Sequence, residues 1–349
     1  MGPFGNRPQT MRILVIRTDH LGDVLLATPM MRALSKAGHE VTALVRRAVA
    51  PVFDYSPYAR AVILEEVAPS FPQHWINLGT WMRRQSFDAI LLPYSQPRQL
   101  LFASLMSGCQ TRVAMWSGLW GRLTFHHCLR SGIRKGERHF SDMLLDCARA
   151  LNVEPAGLRP DFFLTDKERS MAKQEFARRF PNLLLIGVHP GCAGNTCNLP
   201  PNIYGQLAEK LLTDPGIAII GSGIECERKL FNEWPSSVIN HPRYWNACGL
   251  WDVRQLAASI SHYTAMVVPS TGPLHIAAAL GLRTVTPFCH FPPTSVTVWG
   301  NLTPGAVAVH PDITYCDGRR KNRQSQCHFG GFINAETLFQ ATRNLLNAQ

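Results

Sequence analysis

The sequence predicts an α/β protein made of two doubly wound halves, and three observations support this prediction. Short β-branched apolar runs alternate with segments of helical periodicity along most of the 349 residues, and such alternation indicates βαβ units with parallel strands. The chain is longer than one ordinary core requires, so two domains are expected. Hydrophobic residues make up 46% and charged residues 17% of the chain, a balance typical of a folded protein.

The first half begins with the apolar run Met11–Arg17, which is typical of a buried parallel strand. The turn Thr18–Gly22 follows it, and the residues from Asp23 onward have helical periodicity up to Gly38, a residue suited to end a helix. Three more strands are predicted at Val41–Val45, Val62–Leu64 and Asp88–Leu92.

The second half repeats this pattern after a charged helix at Lys167–Arg179. Its predicted strands are Leu183–Val188, Ile217–Ile220, Met266–Val268 and Thr284–Pro287. Its predicted helices are Ile203–Leu212, a segment beginning at Glu225, and His275–Leu280. We therefore predict a disordered segment 1–10, domains 11–165 and 166–333, and a C-terminal amphipathic helix 334–349.

The chain is basic, with 35 Lys and Arg against 24 Asp and Glu and a formal charge of +11. The first 165 residues hold 19 of the basic and 12 of the acidic residues. This excess is compatible with an anionic partner, such as nucleic acid, anionic lipid or a phosphorylated glycan, and equally with a solvated basic surface. Residues 1–10 lack the apolar run of a signal peptide, and no stretch is long and apolar enough to span a bilayer. We expect a cytoplasmic protein whose membrane contact, if any, is peripheral.

Ligands of doubly wound sheets bind beyond the carboxyl ends of the strands, and two such halves are expected to face a central cleft. The first loop at such a position contains Thr18, Asp19, His20 and Gly22 and leads to Asp23. Gly22 lets a ligand approach the backbone closely. Asp23 can act as a general base toward an attacking hydroxyl, or it can serve only as a favourable carboxylate in the first turn of a helix.

A second loop, Val268–His275, joins a predicted strand to a predicted helix. Ser270 or Thr271 can cap this helix, and the free N–H groups from Gly272 onward form a site for a diphosphate. His275 can add a hydrogen-bond donor to the same phosphates. The alternative is a well-formed helix cap with a packed histidine.

Two further loops follow strands of the second half. Gly191 and Cys192 are small residues that let a ligand approach the backbone, although a turn-rich connection explains them as well. Glu225 follows the turn Gly221–Gly223 and suits the two hydroxyls of a ribose, or it complements a helix dipole. The cysteine spacings match no strong zinc pattern, so we expect no metal site.

Four segments together resemble glycosyltransferase family nine, the lipopolysaccharide heptosyltransferases, in their order and spacing. These segments are RILVIRTDHLGDVLLATPMMRAL, VHPGCAGNTCNLPPNIYGQLAEKL, IIGSGIECERKL and VVPSTGPLHIAAALGLRTVTPF. The resemblance extends from about Met11 to the final helix. It implies a GT-B fold, with the acceptor bound by the first Rossmann-like domain and the nucleotide sugar by the second.

The resemblance also implies an inverting transfer that requires no metal or other cofactor. It gives Asp23 the role of base, places Thr271, Gly272 and His275 on the family's diphosphate motif, and places Glu225 at the ribose contact. The implied donor is a nucleotide-diphosphate sugar, most simply ADP-heptose. The implied acceptor is an anionic lipopolysaccharide core or a related glycan, which gives a reason for the basic first half.

The sequence departs from the family pattern at two donor loops. Ser270 stands where the family commonly has Asp, and Cys197 begins a stretch that reads Cys-Asn-Leu-Pro where the family commonly has Lys-x-Trp-Pro. Loss of a cation beside the diphosphate removes one stabiliser of the leaving group. Two alternatives therefore stay open: a transferase that uses a different nucleotide sugar, and a non-catalytic relative that binds glycans or nucleotides.

A nucleic-acid binder is the third alternative, and the best feature in its favour is the basic run Arg319–Arg323. The chain has no zinc finger, no aromatic-rich RNA-binding motif and no clear recognition helix. We therefore expect no nucleic-acid partner.

Overall fold

A computed structural model describes residues 10–94, 97–115, 119–130, 132–192, 194, 196–313 and 328–348. Its contacts group the chain into two compact units. The first comprises Met1–Gly132 and Ser141–Leu158, and the second comprises Ile133–Phe140 and Arg159–Gln349. Apart from Thr10, the predicted segment 1–10 lies outside the described residues, as does the basic run 319–323. None of the helices in the described ranges has the length and apolar character needed to cross a membrane.

The first unit contains a six-stranded parallel sheet. Its strands are β1 (Arg12–Ile16), β2 (Glu40–Val45), β3 (Arg60–Ile63), β4 (Ala89–Leu92), β5 (Thr111–Met115) and β6 (His127–Leu129). Their order across the sheet is β3-β2-β1-β4-β5-β6, so the winding direction reverses between β1 and β4. This is the order of a Rossmann fold, whose ligands bind at that reversal.

Helices cover both faces of this sheet, as right-handed crossovers between parallel strands require. They are α1 (Leu21–Lys36), α2 (Leu64–Val67), α3 (Trp75–Gln85), α4 (Arg98–Met106), α5 (Leu119–Thr124), α6 (Phe140–Leu144) and α7 (Asp146–Arg149), with a 3₁₀ helix at Arg47–Phe53. Leu78 and Met82 of α3 and Leu100 of α4 pack with sheet residues such as Leu14 and Ile90 in one buried apolar cluster.

The second unit repeats the architecture. Its strands are β7 (Leu184–Val188), β8 (Ile217–Gly221), β9 (Tyr244–Asn246), β10 (Ala265–Val267), β11 (Thr284–Pro287) and β12 (Val307–Val309). They are parallel and lie in the order β12-β11-β10-β7-β8-β9, which is the same winding with its reversal between β7 and β10. The prediction of two doubly wound sheets is confirmed.

The helices of the second unit follow its strands in the same way. They are α8 (Asp166–Arg179), α9 (Pro201–Leu212), α10 (Ser236–Ile239), α11 (Val253–Ile260), α12 (Gly272–Leu280), α13 (Val296–Trp299) and α14 (Ala335–Asn347), with 3₁₀ helices at Glu225–Glu233, Pro292–Thr294 and Phe329–Gly331. The α-helix predicted from Glu225 is therefore a 3₁₀ helix. Side chains three residues apart eclipse in a 3₁₀ helix, and Glu225 and Arg228 form an ion pair at this spacing.

Helix α1 tolerates a proline because a neighbouring side chain satisfies the carbonyl that the proline leaves free. Pro29 lies inside the helix and has no N–H for the carbonyl of Leu25 four residues earlier. The Thr28 hydroxyl donates to that carbonyl at 2.7 Å. The first turn of α1 therefore stays regular, and this turn carries Asp23.

Candidate functional site

Three of the four loops that the sequence singled out lie at the points where each sheet reverses its winding, and the fourth, which carries Glu225, follows the neighbouring strand β8. In the first unit, the loop after β1 contains Thr18–His20, and the residues after β4 include Tyr94. In the second unit, the loop after β7 contains Gly191 and the loop after β10 contains Thr271. Because carboxyl ends of parallel strands meet at one edge, each unit brings its two loops together at its own reversal.

A buried arginine organises the loop of the first unit. The Arg17 side chain has no solvent exposure, and its Nη1 lies 2.9 Å from Oδ2 of Asp19. Its Nη2 lies 3.4 Å from Oδ1 of Asp23 and donates to the Asp23 backbone carbonyl at 3.2 Å. The guanidinium also lies 5.7 Å from the centre of the Tyr94 ring. Arg17 therefore links both loops at the reversal of the first sheet.

Asp23 has the environment expected of a carboxylate that must take up a proton. Burial raises its pKa above the ordinary value, and the nearby Asp19 charge acts in the same direction, while Arg17 opposes them. A raised pKa makes a carboxylate a stronger base, and partial exposure of 23% leaves it accessible. The predicted acceptor residues surround it: Thr18 and Gly22 are buried, and His20 is exposed.

The loop after β10 in the second unit leaves the start of α12 without a side-chain cap. Thr271 occupies the N-cap position, but its side chain accepts no hydrogen bond from the first turn. Its hydroxyl instead donates to the carbonyl of Pro269 at 3.3 Å. Ser270, Thr271 and Gly272 are all partly exposed. Pro273 has no N–H and the Leu274 N–H donates to the Thr271 carbonyl at 3.0 Å, so the Gly272 N–H is the backbone donor that this helix start can offer to a phosphate.

His275 lies one turn into α12 and is 3% exposed. Burial, with a smaller contribution from His139, lowers its pKa to about 3. The imidazole is therefore neutral at physiological pH and can donate only one hydrogen bond. Its Nδ1 is buried and has no hydrogen-bond partner among the described residues.

The loop after β7 is held by Asn198. Its Nδ2 donates to the Pro190 carbonyl at 2.9 Å, and its Oδ1 accepts from the Tyr204 hydroxyl at 2.8 Å. The Cys192 thiol accepts a hydrogen bond from the Gly194 N–H at 3.4 Å. The thiol therefore stabilises the conformation of its own loop. Cys197 is 3% exposed and packs in the apolar core of the second unit.

Two carboxylates lie near the start of the 3₁₀ helix Glu225–Glu233, and they differ in their surroundings. Glu225 is exposed and forms a bidentate ion pair with Arg228, with both N–O distances 2.8 Å. Arg228 holds the pKa of Glu225 below its usual range. Glu227 accepts from the Ile224 N–H at 2.9 Å and lies so close to Gly191 that a Cβ there would overlap its carboxylate.

Sequence reasoning did not identify Arg17 or Glu227. In the sequence, Arg17 is the last residue of an apolar run. A basic residue at the end of a buried strand was the one sequence feature that pointed to its role. Glu227 lies 36 positions after Gly191, and nothing in the sequence links the two. The glycine at position 191 leaves space for a carboxylate from another loop, and this contact is visible only once the sheet is formed.

Within the part of the chain that the structure describes, no group of three or more His, Cys, Asp or Glu side chains is arranged to hold a metal ion. His290 and His310, which the sequence places near several cysteines, stack on each other with ring centres 4.7 Å apart. Cys316 and Cys327 lie outside the described residues.

The sequence profile of glycosyltransferase family 9 (heptosyltransferase) matches residues 136–328. The chain belongs to this family. A curated relative from Haemophilus influenzae, described as a putative glycosyltransferase, is 26% identical over 288 residues, which cover 78% of this chain and 81% of the relative. The resemblance to family nine is therefore confirmed, and the protein is a glycosyltransferase of the heptosyltransferase type.

Solved structures of the family share the fold. A family 9 glycosyltransferase from Veillonella parvula is 18% identical, with a TM-score of 0.79 over 97% of this chain and 98% of that chain. The ADP-heptose lipopolysaccharide heptosyltransferase II of E. coli is 20% identical, with a TM-score of 0.76 over 97% of this chain and 99% of that chain. The predicted GT-B fold is confirmed.

A more distant solved structure is described as containing iron. It is the iron-containing dodecameric glycosyltransferase TibC of enterotoxigenic E. coli H10407, 13% identical, with a TM-score of 0.56 over 97% of this chain and 77% of that chain. At this identity the likeness concerns the fold alone, so the prediction of a metal-independent transfer remains a prediction for this chain.

Proposed function

We propose that the protein is an inverting glycosyltransferase that transfers a heptose from ADP-heptose to a lipopolysaccharide core or a related anionic glycan. The observation that carries the proposal is the start of α12 without a side-chain cap at the reversal of the second sheet, with the neutral His275, whose Nδ1 has no hydrogen-bond partner in the described ranges, one turn beyond it. The name of the similar E. coli enzyme supports ADP-heptose as donor.

In this proposal Asp23 removes the proton from the acceptor hydroxyl, which attacks the anomeric carbon from the side opposite the diphosphate. The raised pKa of Asp23 supports the assignment, because a more basic carboxylate accepts the proton more readily. Arg17 keeps the carboxylate in place through its contacts with Asp19 and Asp23. Thr18, Asp19, His20 and Gly22 line the acceptor side of the same loop.

The departing ADP is stabilised by the Gly272 N–H, with Ser270 and Thr271 beside it. His275 donates one hydrogen bond from its neutral ring. Gly191, Cys192 and Cys197 belong to the loop that faces the nucleotide, and Glu225 is the proposed ribose contact. Because Arg228 already occupies the Glu225 carboxylate, we add Glu227 beside Gly191 as a second candidate for that contact. The transfer needs no metal ion in this scheme.

The donor site is tested by calorimetric titration with ADP, UDP, GDP and CDP. We expect ADP to bind most tightly, and a preference for another nucleotide would assign a different donor. A matched pair of variants tests the phosphate site. The variants Gly272→Asp and Gly272→Asn introduce side chains of the same size that differ in charge. An Asp in the first turn favours the helix, so the added charge should not unfold α12. The added charge should weaken ADP binding about ten- to hundredfold relative to Asn, and equal affinities would remove α12 from the site.

The replaced residues at Ser270 and Cys197 favour one second candidate, a non-catalytic relative that binds nucleotides or glycans. It predicts normal ADP affinity together with no sugar transfer from any tested nucleotide sugar. Chelation of divalent metals in the transfer assay tests whether the transfer depends on a metal, since a metal-dependent transfer would slow down when the metal is removed.

A further inference from the structure

Three helices on one face of the first sheet expose large apolar side chains. Helix α3 packs against α4, and α4 packs against α5. Ile76 of α3 is 52% exposed, Phe102 of α4 is 37% exposed and Leu123 of α5 is 69% exposed. We call the α3–α5 surface the set made by Trp75, Ile76, Arg83, Arg84, Arg98, Phe102 and Leu123.

The side chains of this surface are held by close packing beneath them. The rings of Trp75 and Phe102 are 5.6 Å apart. Gly79 lets α3 approach α4 so closely that a Cβ at this position would lie 2.6 Å from Cβ of Met106. The apolar groups therefore face solvent from a preformed surface, and docking on it requires little ordering.

The charges on the surface have one sign. Arg83, Arg84 and Arg98 are exposed, and the sequences of α3 and α4 contain no Asp or Glu. Helix α8, by contrast, mixes its cations with Asp166, Glu168 and Glu175, as is typical of a solvated face. Exposed arginines on helices that contain no acidic residue complement an anionic partner.

We infer that the α3–α5 surface docks the protein on an anionic phospholipid membrane. Trp and Phe side chains with Ile and Leu insert at the level of the headgroups, and neighbouring arginines bind the phosphates. The surface also adjoins the candidate acceptor loop, because α4 begins four residues after Tyr94, which contacts Arg17. This inference deepens the proposed function by naming the surface that brings the enzyme to a membrane-anchored acceptor.

Flotation with vesicles tests the inference, without donor or acceptor present. We expect binding to phosphatidylcholine vesicles that contain phosphatidylglycerol, weaker binding at high salt, and little binding to phosphatidylcholine alone. Arg83→Ser/Arg84→Ser/Arg98→Ser should weaken binding about a hundredfold, since each arginine contributes about fivefold. Ile76→Ser/Phe102→Ser/Leu123→Ser should weaken it at least about tenfold.

The matched control changes the same kinds of residue on α8, as Lys167→Ser/Met171→Ser/Lys173→Ser, and should bind vesicles like the unchanged protein. Equal losses in the control, or unchanged binding in the arginine variant, would overturn the inference. So would binding to a deacylated lipopolysaccharide core in place of vesicles. The arginine variant changes exposed residues only, so we expect it to fold. It therefore still tests the inference if the apolar variant fails to fold. ADP titration of the same samples shows separately whether the donor site is intact.

Discussion

Arg17 and its two aspartates are the residues on which the chemistry of the first unit depends most. A guanidinium without solvent exposure needs a counter-ion, and loss of its partner leaves a buried charge that costs several kcal/mol. Asp19 is the nearer partner at 2.9 Å, while Asp23 lies at 3.4 Å. Asp19 is therefore the main counter-ion of the arginine, and Asp23 is its weaker partner and has a raised pKa.

The role of Asp23 leads to a prediction about pH. Because the pKa of Asp23 is raised, kcat/KM should fall on the acid side at a pH above that at which an ordinary aspartate titrates. Asp23→Asn should lower kcat about a hundred- to ten-thousandfold, the usual contribution of a general base. Its thermal unfolding midpoint should not fall, because a carboxylate with a raised pKa opposes folding once it is ionised. A pH–rate profile with an ordinary acid limb, or an active Asn variant, would contradict the assignment.

The residues of the site differ in how far the sequence could predict them. Asp23 and Thr271 lie at the starts of strongly periodic helices that follow strongly apolar strands, so their placement required only local patterns. The ion pair of Arg17 with Asp19 depends on the path of the turn, and the approach of Glu227 to Gly191 depends on two strands lying side by side. Burial also decides that His275 is neutral, and the sequence gives no measure of burial.

At the scale of elements, one ion pair joins α8 to α11 within the second unit. Arg254 contacts both carboxylate oxygens of Glu168, at 2.5 and 2.8 Å, and donates to the Phe163 carbonyl at 2.8 Å. Glu168 also accepts from the Thr165 N–H at 2.7 Å as part of a capping box. The bond from Arg254 lowers the pKa of Glu168 to about 2.

Glu168→Gln should therefore destabilise the second unit, since Gln keeps the cap and loses the charge. A pKa lowered from about 4.3 to about 2 corresponds to about 3 kcal/mol. This stabilisation is complete above the unfolded-state pKa and is lost as the pH falls toward 2. Denaturation followed by tryptophan fluorescence should show the full difference at pH 7 and a shrinking one near pH 3. Glu175→Gln on the same helix, whose arginine partners are exposed, should change stability by less than about 1 kcal/mol. Equal effects of the two variants would contradict this account.

The sequence predicted strands β1–β4, β7, β8, β10 and β11, and it did not predict β5, β6, β9 and β12. The predicted strand Thr284–Pro287 has the bounds observed for β11, and the other predicted strands agree with observed ones to within a residue or two. Strands β9 and β12 lie at the edges of their sheet and have three residues each, too few to show a periodicity. The N-cap position of Thr271 was predictable from its residue type. Its lack of a side-chain cap was not, because its hydroxyl donates to the Pro269 carbonyl and accepts no hydrogen bond from the helix.

At the scale of the whole molecule, both units use one winding order, and Asp23 and Thr271 lie at the reversals of their sheets. The first unit contributes a basic carboxylate and the second a helix start suited to phosphate. The assignment of acceptor and donor to residues 11–165 and 166–333 remains a prediction. The net charge of +11 is a property of the chain as a whole. That this charge attracts an anionic acceptor is part of the proposal.

The most direct test of the central claim is acceptor-dependent release of ADP from ADP-heptose, with the anomeric configuration of the product determined by NMR. The proposal predicts that ADP appears only when a lipopolysaccharide core acceptor is present, and that the new linkage has the configuration opposite to that of the donor. It also predicts that Asp23→Asn releases almost no ADP while it still binds ADP. No acceptor-dependent release, or a product that retains the donor configuration, would contradict the proposed function.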